Sequence, residues 1–248
     1  MLGPLPASAA IAAQRSRATR DRALRLHARS RVALGGALCE RRRRLHGGRR
    51  RLHASVAADG CAVGNLQNNW ATAQRITTAI SSYTEQLGVS KEKSYALYKE
   101  HGTCLKGMLA EGIISDGLVE DYLEKVHDID YSDIDPDPAV RDVISRCVTK
   151  DRRFVFTAST KEHASRCLAR VLAPSTVDDL FSVIVDTRTC KLDTKHSPAS
   201  FAAAMDAAGV PSDVRASGPA ACILLDDSVT NIKCAKQMGW TTVLVVRK

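Results

Sequence analysis

The first 58 residues contain no lysine, no aromatic side chain and only two acids, Asp21 and Glu40. With 14 arginines they carry a formal +12, so the +9 of the whole chain leaves −3 for the other 190 residues. The basicity that would suggest a nucleic-acid partner therefore belongs to an N-terminal arm, and an arm without aromatics lacks the stacking surfaces that accompany such binding. No apolar run approaches the roughly 18 residues needed to span a bilayer, which argues against a membrane segment. The eight cysteines include no CxxC pair or other zinc spacing, so neither a zinc site nor a disulfide scaffold is expected.

The arm is rich in Ala, Arg, Ser and Leu and poor in acids, the composition of an organellar transit peptide. Ser55-Val56-Ala57-Ala58 is similar to a stromal processing site, which favours the chloroplast over the mitochondrion. If the arm is not a targeting signal, the expectation becomes cytoplasmic.

Beyond the arm two patterns follow each other. Ile76, Ile80, Tyr83 and Leu87 recur at helical spacing, Gly88 ends that segment, and Ser90 is placed to cap a second helix through Tyr95, Leu97 and Tyr98 to about His101. A further helix carries Leu118 to Val126. Residues 65–135 thus read as a small all-helical unit. Asp135-Pro136-Asp137-Pro138 interrupts the chain, because each proline disfavours helix in the residue before it. In 136–248 short apolar runs at Arg153–Thr157, Phe181–Val185, Cys222–Leu225 and Thr242–Val246 alternate with helices. The expected fold class is α/β, a Rossmann-like parallel sheet sandwiched by helices, with the helical unit as a cap.

Ligands of such sheets bind at the carboxyl ends of the strands. Thr157 ends the first run and precedes a helix N-terminus, where orphan N–H groups favour anions. Lys195 follows the second run and could neutralise a phosphate, with Lys191 as a competitor. Asp226 and Asp227 end the third run, where two ionised carboxylates side by side are costly unless a hard cation such as Mg²⁺ relieves them. A hydroxyl, a lysine and an acid pair in this order suit a phosphate-plus-Mg²⁺ site. A receiver domain uses similar residues but places its acids first and its lysine last.

Phe154-Val155-Phe156-Thr157, Lys195 through Phe201 and Asp226-Asp227-Ser228-Val229-Thr230-Asn231-Ile232 resemble the later three motifs of the haloacid-dehalogenase-like hydrolases. The stretch Asp226–Val245 is similar to the pyrimidine 5′-nucleotidase-like branch. The resemblance implies a Mg²⁺-dependent phosphomonoesterase that acts through an aspartyl-phosphate on a nucleotide monophosphate or similar small phosphate ester. Thr157, Ala158 and Lys195 would bind phosphate, Lys195 would also orient the nucleophile, and Asp226 with Asp227 would hold Mg²⁺. Expected partners are then a small phosphorylated substrate, with no nucleic acid and no membrane.

The family's first motif, an apolar strand ending in Asp-x-Asp, should precede Gln67 closely. The sequence there runs Ser55-Val56-Ala57-Ala58-Asp59-Gly60-Cys61, with one acid. If Asp59 takes the acid/base position, Ala57 takes the nucleophile's; if Asp59 is the nucleophile, Cys61 replaces the acid/base. Asp59 is therefore the one candidate for a catalytic carboxylate in this segment. The alternatives are a silent relative that retains Mg²⁺ and phosphate binding, or 64 N-terminal residues foreign to the domain, which the abruptness of the mismatch favours. Fused to a fluorescent protein, residues 1–58 are expected to carry it into chloroplasts, and microscopy showing a cytosolic fusion would refute the targeting assignment.

Overall fold

The computed structural model describes residues 53–56, 71–147, 150–211 and 222–245, which lie in one compact unit. Strands β1 (His53–Val56), β2 (Arg153–Phe156), β3 (Val183–Val185), β4 (Cys222–Asp226) and β5 (Thr241–Leu244) form one sheet in the order β3-β2-β1-β4-β5. Every pairing is parallel. The α/β class with a parallel sheet and flanking helices is as the alternating pattern predicts.

Alternate side chains of β2 feed two cores, as the two-residue period of a strand requires. Phe154 and Phe156 join Phe201, Leu224 and Trp240 in one cluster, and Val155 joins Ile144, Leu168, Leu172 and Phe181 in the other. Around the sheet run α5 (Pro138–Cys147), α6 (Lys161–Val171), the short α7 (Val177–Leu180), α8 (Pro198–Ala207) and α9 (Val229–Gln237). Ser197 and Pro198 open α8 as cap and first-turn residue, the Ser197 side chain accepting from the Ala199 N–H. At α5 the Asp137 carboxylate accepts from the Ala139 and Val140 N–H groups, so the Asp-Pro repeat ends one unit and starts the next.

The cap comprises α1 (Ala71–Gln86), α2 (Lys91–His101), α3 (Cys104–Ala110) and α4 (Val119–His127), inserted between β1 and β2. It has its own core, in which Leu97, Met108, Tyr122 and Val126 are buried. Gly88 takes a φ of 74° after α1, a left-handed turn that a side chain would strain. Helix α3, only seven residues long although mostly apolar, is too short to show a helical period and has no counterpart in the sequence reading. Among the described residues no helix is long and apolar enough to cross a membrane.

One boundary needs correcting. His53–Val56, which composition assigns to the basic arm, is the central strand, paired with β2 on one side and β4 on the other. Its sequence, His-Ala-Ser-Val, gives no apolar run. The register comes from backbone hydrogen bonding to two neighbours, which no local pattern announces.

Phe201 is fully buried and meets Phe156 and Trp240 edge to face, with ring centroids 5.3 and 5.2 Å away. Phe201→Ala is expected to destabilise the domain by about 3–5 kcal/mol, read as a lowered urea midpoint; an unchanged midpoint would mean that this cluster does not hold α8 to the sheet.

Candidate functional site

The carboxyl ends of β2 and β4 and the loop after β3 bring the expected residues together. Lys195 and Asp226 are 2% and 1% exposed. The Lys195 ammonium donates to Asp226 Oδ2 at 2.8 Å and to the Phe156 carbonyl at 3.2 Å, and it stands 5.5 Å from the centre of the Phe156 ring. Asp226 Oδ1 accepts from the Ser228 N–H at 2.8 Å and from Asn231 Nδ2 at 3.0 Å. Ser228 in turn caps α9, its hydroxyl accepting from the Asn231 N–H.

The two acids are thus divided in their work. Read from sequence alone, two adjacent carboxylates call for a cation between them, but Lys195 neutralises Asp226 directly. Asp227, half-buried, faces a cavity of about 680 Å³ between cap and core. Lys195, Ala158, Ser159, Ser228 and Asn231 line the same cavity. Thr157 is buried at the end of β2, where its hydroxyl accepts from the Ser159 N–H at 3.0 Å, and it is Ala158 and Ser159 that form the wall. Lys191 is exposed, has a φ of 53° and lines a separate groove, so Lys195 is the lysine of this site. Asp59 lies outside the described residues, as does the arm before His53.

No cluster of three or more His, Cys, Asp and Glu side chains among the described residues is placed to hold a metal. Mg²⁺ asks for less, since one or two carboxylates with waters and substrate phosphate suffice. Asp227 on the cavity wall supplies a hard oxygen donor. Asp226, with three donors on a carboxylate that can accept about four, retains room for one more partner. The donor set fits the ion, with Asp227 the better placed of the two.

The loop carrying Lys195 is also where cap and core meet. Arg188 donates to Glu120 of α4 at 2.8–3.0 Å and to Glu162 of α6 at 2.9 Å. These carboxylates raise the guanidinium pKa still further, against the opposing pull of partial burial. The Glu162 carboxyl is held below its usual range by its own backbone N–H in the first turn of α6 and then by Arg188. Lys106 of α3 pairs with Asp193. Gly102, at a φ of 85°, lies against both neighbours of Lys195, and a Cβ there would meet His196 Nδ1 at 2.8 Å and Thr194 Oγ1 at 2.9 Å.

A second polar group went unnoticed in the sequence. Tyr131 OH donates to the His127 carbonyl at 2.9 Å and lies 2.9 Å from His163 Nδ1, linking the end of α4 to α6 beside the cavity. Burial pushes the Tyr131 hydroxyl up to about 12. Lone histidines and a tyrosine in separate segments carry no motif, so only the fold could collect them.

Removing one partner of a buried pair leaves the other charge stranded. Asp226→Asn is therefore expected to cost about 3–5 kcal/mol of stability, and Lys195→Met with Asp226→Leu together to cost less than the single change. Chemical denaturation of the three proteins decides it, and a double variant less stable than Asp226→Asn would refute the pairing.

No protein-family model matches the sequence, and a search of curated proteins finds no match. Solved structures do resemble it. CbbY from Rhodobacter sphaeroides aligns over 78% of this chain and 85% of its own, with a TM-score of 0.52 and 16% identity. β-Phosphoglucomutase from Clostridium difficile aligns over 78% and 84%, with a TM-score of 0.50 and 19% identity. With a parallel sheet and an inserted helical cap, the chain has the fold of the haloacid-dehalogenase-like hydrolases.

Proposed function

We propose that this domain binds a small phosphate monoester together with Mg²⁺, in a site built for phosphomonoester hydrolysis. The observation that carries the reading is the buried Lys195–Asp226 pair at the edge of a cavity that Asp227 also lines. The buried ammonium offers a fixed positive charge to a phosphate oxygen, and burial strengthens that attraction relative to water. Ala158 and Ser159 stand at the wall just before α6, where helix N–H groups favour an anion. When bound, Mg²⁺ would neutralise charge on the phosphate, with Asp227 as its carboxylate. Two structures of this fold point the same way: one is a phosphoglucomutase by name, and CbbY was crystallised with phosphate. The resemblance of Asp226–Val245 to the nucleotidase branch makes a nucleoside monophosphate the first substrate to try.

A second reading concerns turnover. Val56, the last residue of β1, pairs with Val155 of β2 and Leu225 of β4. In the family the nucleophilic aspartate stands at the end of this strand, and the next residue in this sequence is Ala57. This favours the alignment in which Asp59 takes the acid/base position and the nucleophile is missing. A methyl group cannot attack phosphorus, and electrostatic stabilisation cannot replace a covalent nucleophile. The chain as written is then a binder of phosphate esters without hydrolysis.

Calorimetry with inorganic phosphate and Mg²⁺, paired with a free-phosphate assay on nucleoside monophosphates, tests both readings. The unmodified chain is expected to bind phosphate and release it from esters at background rate, with Ala57→Asp raising turnover. Loss of phosphate binding in Lys195→Met would follow. Robust Mg²⁺-dependent turnover by the unmodified chain would assign the nucleophile to Asp59, and absence of phosphate binding would overturn both readings.

A further inference from the structure

Under the phosphate-ester reading, the turn between β2 and α6 and the loop after β3 supply two halves of one site, Ala158 and Ser159 from the turn and Lys195 from the loop. The halves follow different strands, so their spacing has to be set by contacts between them. Main-chain bonds make part of the link. The Thr157 N–H donates to the Val185 carbonyl at 2.9 Å, and the Thr187 N–H to the Ser159 carbonyl at 3.0 Å. Asp186 stands between these two rungs, is 5% exposed and does not line the cavity.

Each carboxylate oxygen of Asp186 serves a different segment. Oδ1 accepts from the Thr189 N–H at 2.9 Å and from the Thr189 hydroxyl at 2.8 Å, while the Asp186 carbonyl accepts from the Cys190 N–H at 3.2 Å. That is how an aspartate caps a single helical turn, and this turn begins the loop that leads to Lys195. Capping needs only one oxygen. Oδ2 accepts from the Lys161 N–H at 3.2 Å, 25 residues back in the chain, and from Arg188 Nη1 at 3.4 Å. Lys161 is the first residue of α6, so its N–H is one of the orphan donors of that helix. The charge of a buried carboxylate beside a site for an anion opposes binding. What Asp186 contributes there is geometry.

We propose that Asp186 is a positioning residue for phosphate binding. Its two oxygens bridge the β2–α6 turn to the lysine loop, which holds Ala158 and Ser159 at a fixed spacing from Lys195. The proposal rests on the phosphate-ester reading and adds the residue that keeps the two halves of the site in register. Asp186 acts through these neighbours and touches no ligand itself. Arg188, which also pairs with Glu120, extends the bridge to the cap.

The bridge can be cut from either side, and calorimetry on the full chain with Mg²⁺ and inorganic phosphate reads the result. At Lys161, whose side chain is exposed, alanine removes the ammonium, whereas proline removes the ammonium and the N–H. Proline suits the first helical position, and Thr160 before it already has the extended backbone, φ −85° and ψ 157°, that a following proline requires. Lys161→Ala is expected to bind phosphate within about twofold of the unmodified chain, as befits one exposed charge. Lys161→Pro should bind about tenfold more weakly than Lys161→Ala, the scale of loss when a group that orients a binding residue is removed. At Asp186, asparagine caps a turn as well as aspartate but offers one acceptor oxygen, so the bridge is cut whichever way the amide turns. Charge alone would tighten phosphate binding in Asp186→Asn, whereas loss of positioning weakens it, again by about tenfold. Thermal midpoints verify that the variants fold, and the Lys161 pair decides the matter if Asp186→Asn does not. Equal affinities for Lys161→Pro and Lys161→Ala, or phosphate bound as tightly by a folded Asp186→Asn as by the unmodified chain, would overturn the positioning role and leave the phosphate site standing. Failure of the unmodified chain to bind inorganic phosphate would overturn both.

Discussion

Burying an ammonium and a carboxylate costs several kcal/mol for each ion, and only close pairing with further hydrogen bonds offsets it. Lys195 and Asp226 meet those terms: a 2.8 Å contact, a carbonyl for the lysine, and a backbone N–H and an amide for the aspartate. The pair joins the loop after β3 to the end of β4 across the strand order of the sheet. It thereby fixes where a positive charge stands relative to Asp227. Every chemical property assigned to the cavity depends on this charge being held in place without being exposed to water.

The same loop also anchors the cap. Arg188 reaches Glu120, Asp193 receives Lys106, and Gly102 abuts Thr194 and His196 on either side of Lys195. Each ion pair is partly exposed and contributes little stability by itself. Their common attachment, with that of Gly102, to the nine residues 188–196 matters more, because the cap then meets the lysine's own loop at several points. Lys191 and Leu192 adopt left-handed conformations within that stretch, a backbone cost in non-glycine residues that surrounding contacts must sustain. A ligand held in the cavity between α2 and Lys195 would therefore act on one connected element.

What could be read from the sequence divides along physical lines. Strands β2 and β4 announce themselves because both faces are buried and the side chains are largely apolar. Strands β3 and β5, at the sheet edges, are only partly buried and show through short apolar runs that extend past the strand. Lys195, Asp226 and Asp227 were legible because they follow successive strands in a fixed order. Three things were not legible. The partnership of Lys195 with Asp226 spans 31 residues and neutralises one of the two acids by a side chain far away in sequence. The outward direction of Tyr95 and Tyr98 depends on which side of α2 meets the cap core, and Leu97 decides that. Strand β1 lacks any apolar signature, since its place is set by neighbours on both sides.

That last point bears on how such a chain tolerates alanine where a nucleophile is expected. β1 enters the sheet through backbone hydrogen bonds to β2 and β4, and these are indifferent to the side chain that follows Val56. Replacing a carboxylate at a strand end is dangerous to a fold when it strands an opposite charge nearby. Here Lys195 has Asp226 as a counter-ion at 2.8 Å, so its charge does not depend on a carboxylate after β1. The sheet, the lysine and the cavity can all persist without the group that would perform covalent chemistry. Under the proposed function, binding and covalent chemistry are separable, because the charge pair that shapes the site is supplied by β4 and the loop after β3, while the nucleophile that the family resemblance implies would follow β1.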